Sequence, residues 1–264
     1  MISMQSIWAV VIRHARMWRR DANALLGAFY WPFLDILIWG FLGSWLQQIN
    51  AAQLQHYETT ALLGVLLWQV VGRGSNILLN VFNEEIWSNN IVNFFSLPLQ
   101  IIEWMCGIII FYIIMMALTT LSCLLTIAAF YDVSIWHMLT TFSIFAPPLF
   151  FTSLWIGFTS LQIIVTWGKR SVELGYVFCW FFMPFSGAYY PVEVLPSWAQ
   201  KISCLLPMSY VFKGMRGYIM HQKDPTPYLI KGYLMGILYA TCAILLFIYC
   251  FNRSKRNGLA RLAD

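Results

Sequence analysis

The stretch from Trp104 to Phe130 is continuous, apolar and free of charge. A soluble fold has no way to cover so long a run, whereas about 20 apolar residues are what a helix needs to cross bilayer hydrocarbon. Inside that hydrocarbon every backbone amide must be bonded, which makes the stretch a helix. The rest of the chain has the same character. It is 60% hydrophobic and only 10% charged, where soluble domains carry about 25% charged residues. At this composition 264 residues allow roughly six spans joined by short loops, with no separate soluble domain.

The remaining apolar runs are about Ala24 to Leu46, Thr59 to Phe82, Ile135 to Trp167, Leu174 to Tyr190 and Ile230 to Phe251. Pro32 is expected to bend the first. The run from Ile135 is too long for one crossing, so Pro147 and Pro148 are expected to break or kink it. The run from Leu174 is barely long enough. Ahead of the spans, residues 1–22 place Met4, Ile7, Trp8, Val11, Ala15 and Trp18 at helical spacing, with Arg13, Arg16 and Arg20 elsewhere on the wheel. That pattern predicts an interfacial helix with its apolar face in lipid. With six crossings, both termini share a side with Arg13, Arg16, Arg19, Arg20, Lys169, Arg170, Arg253, Lys255, Arg256 and Arg261. The opposite side holds Lys201, Lys213, Arg216, Lys223 and Lys231. The excess places both termini in the cytoplasm. The net charge of +5 is read as this topology-setting charge, not as a nucleic-acid interface.

Catalytic signatures are missing. There is no P-loop, H-E-x-x-H, G-x-S-x-G or C-x-x-C, and the chain is expected to hold no cofactor and no metal. His14, His56, His137 and His221 fall near interfaces or loops and read as solvated or snorkelling groups. Two charges lie inside spans. Asp35 and Arg73 sit at similar depth on consecutive spans and can form a buried ion pair, either as a packing lock or facing a substrate. Between the second and third spans, Asn83 to Glu103 carries three acids and no Lys or Arg. It is either a connector or a docking helix, with Ile86, Trp87, Ile91, Phe94 and Phe95 as an apolar knob flanked by Glu84 and Glu85. After the fifth run, Phe185 to Gly217 is rich in proline. Ser197 can cap a short amphipathic helix, Trp198 to Leu206, stopped by Pro207. Tyr189, Tyr190 and Trp198 would anchor this piece at a membrane surface, with Pro191, Glu193 and Lys201 at its turns and wet face.

The phrase F-S-G-A-Y-Y-P-V-E-V-L-P-S-W at Phe185–Trp198, then L-P-M-S-Y and G-M-R-G before the last span, resembles the permease subunit of ABC-2 type exporters. The S-L-P-L at Ser96–Leu99 and the interface helix fit the same pattern, and the resemblance covers essentially the whole chain. It implies an all-α membrane protein of six transmembrane helices forming one domain over 1–264. It further implies an N-terminal interface helix (1–22), a cytoplasmic coupling helix (83–103) and a re-entrant external helical hairpin (185–217). By the resemblance, the chain is a homodimeric permease in the cytoplasmic (inner) membrane. It is driven by a separate nucleotide-binding subunit that holds ATP and Mg, and exports an amphiphile such as a lipid-linked glycan, a lipid or a hydrophobic drug. Candidate path-lining aromatics are Phe29, Tyr30, Trp31, Trp180, Phe181, Phe182 and Phe185. A six-span secondary transporter or channel is the alternative.

Overall fold

The computed structural model describes residues 3–49, 57–88 and 90–258. Of the residues singled out above, His56, Arg261 and the side chain of Phe95 lie outside the described residues. Regular structure among the described residues is entirely helical. Ten α-helices follow in order: α1 Met4–Arg20, α2 Ala22–Ile49, α3 Tyr57–Trp87, α4 Ile91–Ser96, α5 Ile101–Phe130, α6 Ile135–Trp167, α7 Val172–Phe181, α8 Ser197–Ser203, α9 Pro207–His221 and α10 Thr226–Arg256. Five of them, α2, α3, α5, α6 and α10, are long and apolar enough to cross a membrane.

The centre of the bundle is α3, whose apolar stretch is nearly all buried. Lipid supplies no hydrophobic drive between helices, so close approach depends on small residues. On α10 the buried face is Gly232, Gly236, Ala240, Ala243, Phe247, Phe251 and Ser254. A Cβ on Gly232 would meet Val211 of α9 at 2.6 Å, and one on Gly236 would lie 3.2 Å from Phe151 of α6. Against this face α6 and α10 run in the same direction, as the ring pairs Phe151–Tyr233, Trp155–Tyr239 and Phe158–Phe247 show. Residues 168–225 therefore carry the chain back along the bundle. The return follows α3 in reverse: Tyr176 meets Asn83, Trp180 meets Arg73, and Ala188 meets Gly64. The passage from Asn83 to Gly64 on α3 measures about 28 Å at 1.5 Å per residue.

The expected break at Pro147 and Pro148 does not occur. α6 is unbroken from Ile135 to Trp167 across Pro147 and Pro148, and α10 lays its glycine face against Pro148. In α2, Pro32 removes the donor for the Ala28 carbonyl. Buried Thr119 of α5 supplies a replacement, donating its hydroxyl to that oxygen at 3.5 Å. The return segment is less helical than its apolar run predicts. α7 has only ten residues, and a 3₁₀ turn at Met183–Phe185 follows. Pro184 lies inside that turn, and Gly187 turns the chain with φ +75°. α8 ends at Ser203, short of the expected Leu206, and Pro196 rather than Ser197 stands at its cap position; Pro207 opens α9, at the first helical position where a missing N–H costs nothing.

Candidate functional site

Two polar clusters stand out in a largely apolar bundle. The first joins α1 to the end of α3. α1 is strongly amphipathic, but its buried face, Ile7, Val10, Val11, His14 and Trp18, lies on protein. Val10 sits against Gly107 of α5, where a Cβ would come within 2.7 Å, and Trp18 meets Phe111 edge-on at 5.6 Å. The expectation that this apolar face rests in lipid is corrected by that packing, which leaves only the flank Met4, Trp8 and Ile12 exposed. The start of α1 is tied down as well, since the Ser3 amide donates to Glu103 at 2.6 Å.

Arg13 and His14, adjacent on α1, face Glu84 and Glu85, adjacent on α3. The Arg13 Nη2 lies 2.7 Å from Glu85 Oε1 and 2.8 Å from Oε2. Asn90 Nδ2 donates to the same carboxylate at 3.0 Å, and the Arg13 guanidinium stands 4.6 Å over the Phe94 ring. Glu85 is completely buried, while Arg13 keeps 35% of its side chain exposed. His14 is also fully buried, with Nδ1 3.6 Å from Glu84 Oε2. Its expected solvated position is thereby corrected: the small ring is the part of α1 that fits between α3 and Phe111.

This arrangement changes the expected docking knob. Glu85, Ile86, Ile91 and Phe94 are buried within the chain and hold α4 in place. The residues left outside are Trp87 at 60%, Val92 at 44% and Leu97 at 56% exposure. Glu84 is partly exposed. Lys169, in the turn between α6 and α7, reaches over Trp87 at 4.7 Å. Periodicity correctly marked a hydrophobic segment but could not assign its inner and outer faces.

The second cluster lies near the middle of the spans. Asp35 and Arg73 make no direct ion pair. Gln69 stands between them, donating Nε2 to Asp35 Oδ2 at 3.1 Å and accepting from Arg73 Nε at 3.3 Å. The two side chains meet at different levels of crossing helices, and one turn of α3 fills the gap with an amide. Arg73 also stacks toward Trp180 at 5.9 Å. Farther along α3, Asn80 accepts from the Tyr176 hydroxyl, and Asn83 Nδ2 donates to the same Tyr176 oxygen at 3.2 Å. The polar residues Gln69, Arg73, Asn76, Asn80 and Asn83 are spaced 4, 3, 4 and 3, which puts them on one face of α3 within about 80° of arc. That spacing is legible in the sequence, although the expectation centred on Arg73 alone.

The predicted path aromatics divide. Trp180 faces α3, whereas Phe182 packs on Trp155 of α6 and Phe185 on Trp198. Tyr30, Trp31 and Phe181 are exposed on the bundle surface, and Phe29 is partly buried against the core. In the turn region, Tyr189 packs on Trp39 at 4.4 Å and on Trp68 at 6.3 Å. Tyr190 bonds the Pro184 carbonyl, and Trp198 and Lys201 are exposed. Glu193, after Pro191, pairs with Lys213 at 2.6 Å. That hydrogen bond holds the Glu193 carboxyl below its ordinary value and the Lys213 amine above its own. Arg216 donates to the Ala188 carbonyl at 2.9 Å, fastening α9 to the return segment. The described residues contain no cluster of His, Cys, Asp and Glu able to hold a metal. The sequence matches no protein family and no curated protein.

Proposed function

We propose that the chain is the membrane-spanning subunit of an ABC-2 type exporter, powered by a separate cytoplasmic ATPase and moving an amphiphile outward. The observation that carries this reading is the first cluster. The end of α3 and the short helix α4 are tied to α1 by the Arg13–Glu85–Asn90 network, and Trp87 at the end of α3, Val92 on α4 and Leu97 just after it stay exposed, with Lys169 over the Trp87 ring. An exposed apolar ridge of this kind is what a coupling helix offers to a partner's groove. Movement imposed there would pass directly into α1 and α3.

In this reading the return segment completes a sixth crossing, its roughly 28 Å advance matching the roughly 30 Å of hydrocarbon. The turns and short helices from Met183 to Ser203 then form a re-entrant lid on the outer side. Both termini face the cytoplasm of an inner-membrane protein, as the basic residues of α1, the α6–α7 turn and the end of α10 require. α2 is the candidate span least covered by its own chain, and its exposed Tyr30, Trp31, Phe41 and Trp45 are assigned to contact with a second copy. ATP and Mg belong to the partner, and this chain contributes no catalytic residue.

The test is co-purification with a P-loop ATPase encoded beside it. Trp87→Ala and Val92→Asp are expected to abolish capture of the ATPase while leaving the thermal unfolding midpoint within about 2 °C, as exposed substitutions do. Full capture by both variants rejects the assignment of the ridge. The Asp35–Gln69–Arg73 network favours a secondary transporter as the second reading, since such proteins place polar relays at mid-membrane. It predicts uptake or efflux driven by a proton gradient in vesicles without ATP, which the exporter reading forbids.

A further inference from the structure

Between the turn at residues 191–193 and the C-terminal half of α9, the fold encloses a cavity of about 270 Å³. Its shape follows from the order of residues in α9. Lys213, Arg216 and Met220 recur at helical spacing and line it, while Gly214 and Gly217 leave the surface between them bare. A Cβ on Gly217 would already lie 3.9 Å from the Cβ of Lys223, so a longer side chain there would fill the hollow. α9 then ends in a left-handed residue, Gln222, at φ 50°. That turn folds Lys223 back along the helix, its amide donating to the Gly217 carbonyl at 3.1 Å. Arg216 and Lys223 are thereby brought to one cavity.

The charged lining is unbalanced. Lys213, Arg216 and Lys223 face Glu193 and Asp224, with His221 beside them. Glu193 is taken by Lys213 at 2.6 Å. Asp224 is turned to its own loop, accepting from the Thr226 amide at 3.1 Å and from the Thr226 hydroxyl at 2.6 Å. Among the described residues, Arg216 and Lys223 form no ion pair. Arg216 is half-buried and donates through Nη2 to the Ala188 carbonyl at 2.9 Å, which leaves most N–H groups of its guanidinium open. Two like charges gathered at one enclosed cavity repel each other, and an anion between them removes that repulsion.

Size and charge together select the anion. A volume of about 270 Å³ falls below the roughly 300–1,000 Å³ of drug-sized sites. It admits a small ion or the head of a lipid, and neither a sugar chain nor an acyl chain. Two unpaired cations match a dianion. A phosphate monoester carries about −1.5 to −2 charge at neutral pH, with oxygens enough for the Arg216 fork and the Lys223 ammonium together. A carboxylate has one charge, and the Arg216 fork would occupy both of its oxygens. Sulfate has the charge but no proton, whereas inorganic phosphate keeps a P–OH that can donate to the carboxylates also present in the lining.

We propose that Arg216 and Lys223, with Lys213 and Glu193 beside them, form a binding site for a phosphate group that fastens the turn at residues 191–193 to α9. The group is a ligand of the turn region and not cargo, and the site stands whether or not the chain exports. Its source is either free phosphate or the monoester head of a membrane lipid.

The test uses the full chain in dodecyl maltoside and radiolabelled inorganic phosphate, in equilibrium dialysis at fixed ionic strength. The parent chain is expected to bind one phosphate, with sulfate a weaker competitor. Lys223→Gln should weaken binding about five-fold, the worth of an exposed ion pair, and Arg216→Gln about ten-fold or more. Lys201→Gln changes an exposed lysine outside the cavity and should leave binding unchanged. Because Lys223 is exposed, its variant keeps the test decisive should Arg216→Gln fail to fold. In a second arm the chain is placed in nanodiscs of phosphatidylcholine with and without phosphatidic acid, and retained lipid is counted by native mass spectrometry. Phosphatidic acid held by the parent and lost from Lys223→Gln supports the site and names a lipid head as its source. Binding of inorganic phosphate alone supports it and names the free ion. Binding of neither probe shows that Arg216 is a structural clamp and overturns the proposal. Binding that Lys223→Gln leaves unchanged, or equal competition by sulfate, overturns it as well.

Discussion

Removing either partner of the Arg13–Glu85 pair should destabilise the protein, but by unequal amounts. Glu85 is completely enclosed, while Arg13 retains a route to water along its exposed third. Arg13→Met leaves a carboxylate sealed between α1, α3 and α4 with only the Asn90 amide to bond it. Stranding a buried charge costs about 3–5 kcal/mol. Glu85→Gln keeps the shape and a hydrogen-bond acceptor, and lets the guanidinium turn outward. The loss is then one charge-assisted bond, about 1.5–3 kcal/mol. At roughly 2–4 °C per kcal/mol for a chain of this size, Arg13→Met should lower the unfolding midpoint by about 6–20 °C and Glu85→Gln by about 3–12 °C. Light-scattering or intrinsic-fluorescence melts in nanodiscs provide the measurement, with limited proteolysis reporting release of α1. The double variant should cost less than the sum of the singles, because the stranded carboxylate is gone. Equal single effects, or strict additivity, would refute the idea that burial asymmetry governs this contact.

Gly107→Leu should detach α1 from α5, since even a Cβ would lie 2.7 Å from Val10; a loss of several kcal/mol is expected, read as protease cleavage within residues 4–20. Gly232→Leu should separate α10 from α9 and α6, where a Cβ comes to 2.6 Å of Val211, and lower the yield of folded protein in detergent. Thr119→Val removes the hydroxyl that serves the Ala28 carbonyl opposite Pro32 and should cost about 1 kcal/mol in the same melts. The Glu193–Lys213 link is complete above pH 4.5, the ordinary carboxyl value, and is lost as pH falls through the lowered value of Glu193. Because both groups are well exposed, the link is worth at most about 1 kcal/mol. The protection factors of the amides in residues 192–195, taken relative to intrinsic exchange at each pH, should fall below pH 4 and stay flat between pH 5 and 9, and Lys213→Met should remove that step.

Some expected sites were misplaced for a physical reason that recurs. Periodicity reports that a helix has an apolar stripe, and it cannot say whether lipid, a partner or another helix covers it. For α1 and α4 the covering surface is the chain itself, so Val10, Ile86, Ile91 and Phe94 are core. The expected direct pair of Asp35 and Arg73 does not form, and each bonds Gln69 instead. The Gln69 relay depends on the crossing of α2 and α3, which no local pattern encodes.

The amino-acid order alone determined that the chain is helical, with helices long and apolar enough to cross a membrane. Runs such as Trp104 to Phe130 have no other stable arrangement, because hydrocarbon leaves the backbone only its own segment to bond. It also determined the amphipathic start and the proline-rich turn after the fifth apolar run, where loss of amide donors ends helices locally. Which faces are buried and which charges meet were decided only by tertiary packing. Those outcomes depend on small residues, such as Gly107 against Val10 and Gly236 against Phe151, bringing distant helices to within contact distance. The short α7 and its return along α3 belong to the same category, since their length is set by what they must pack against rather than by their own hydropathy.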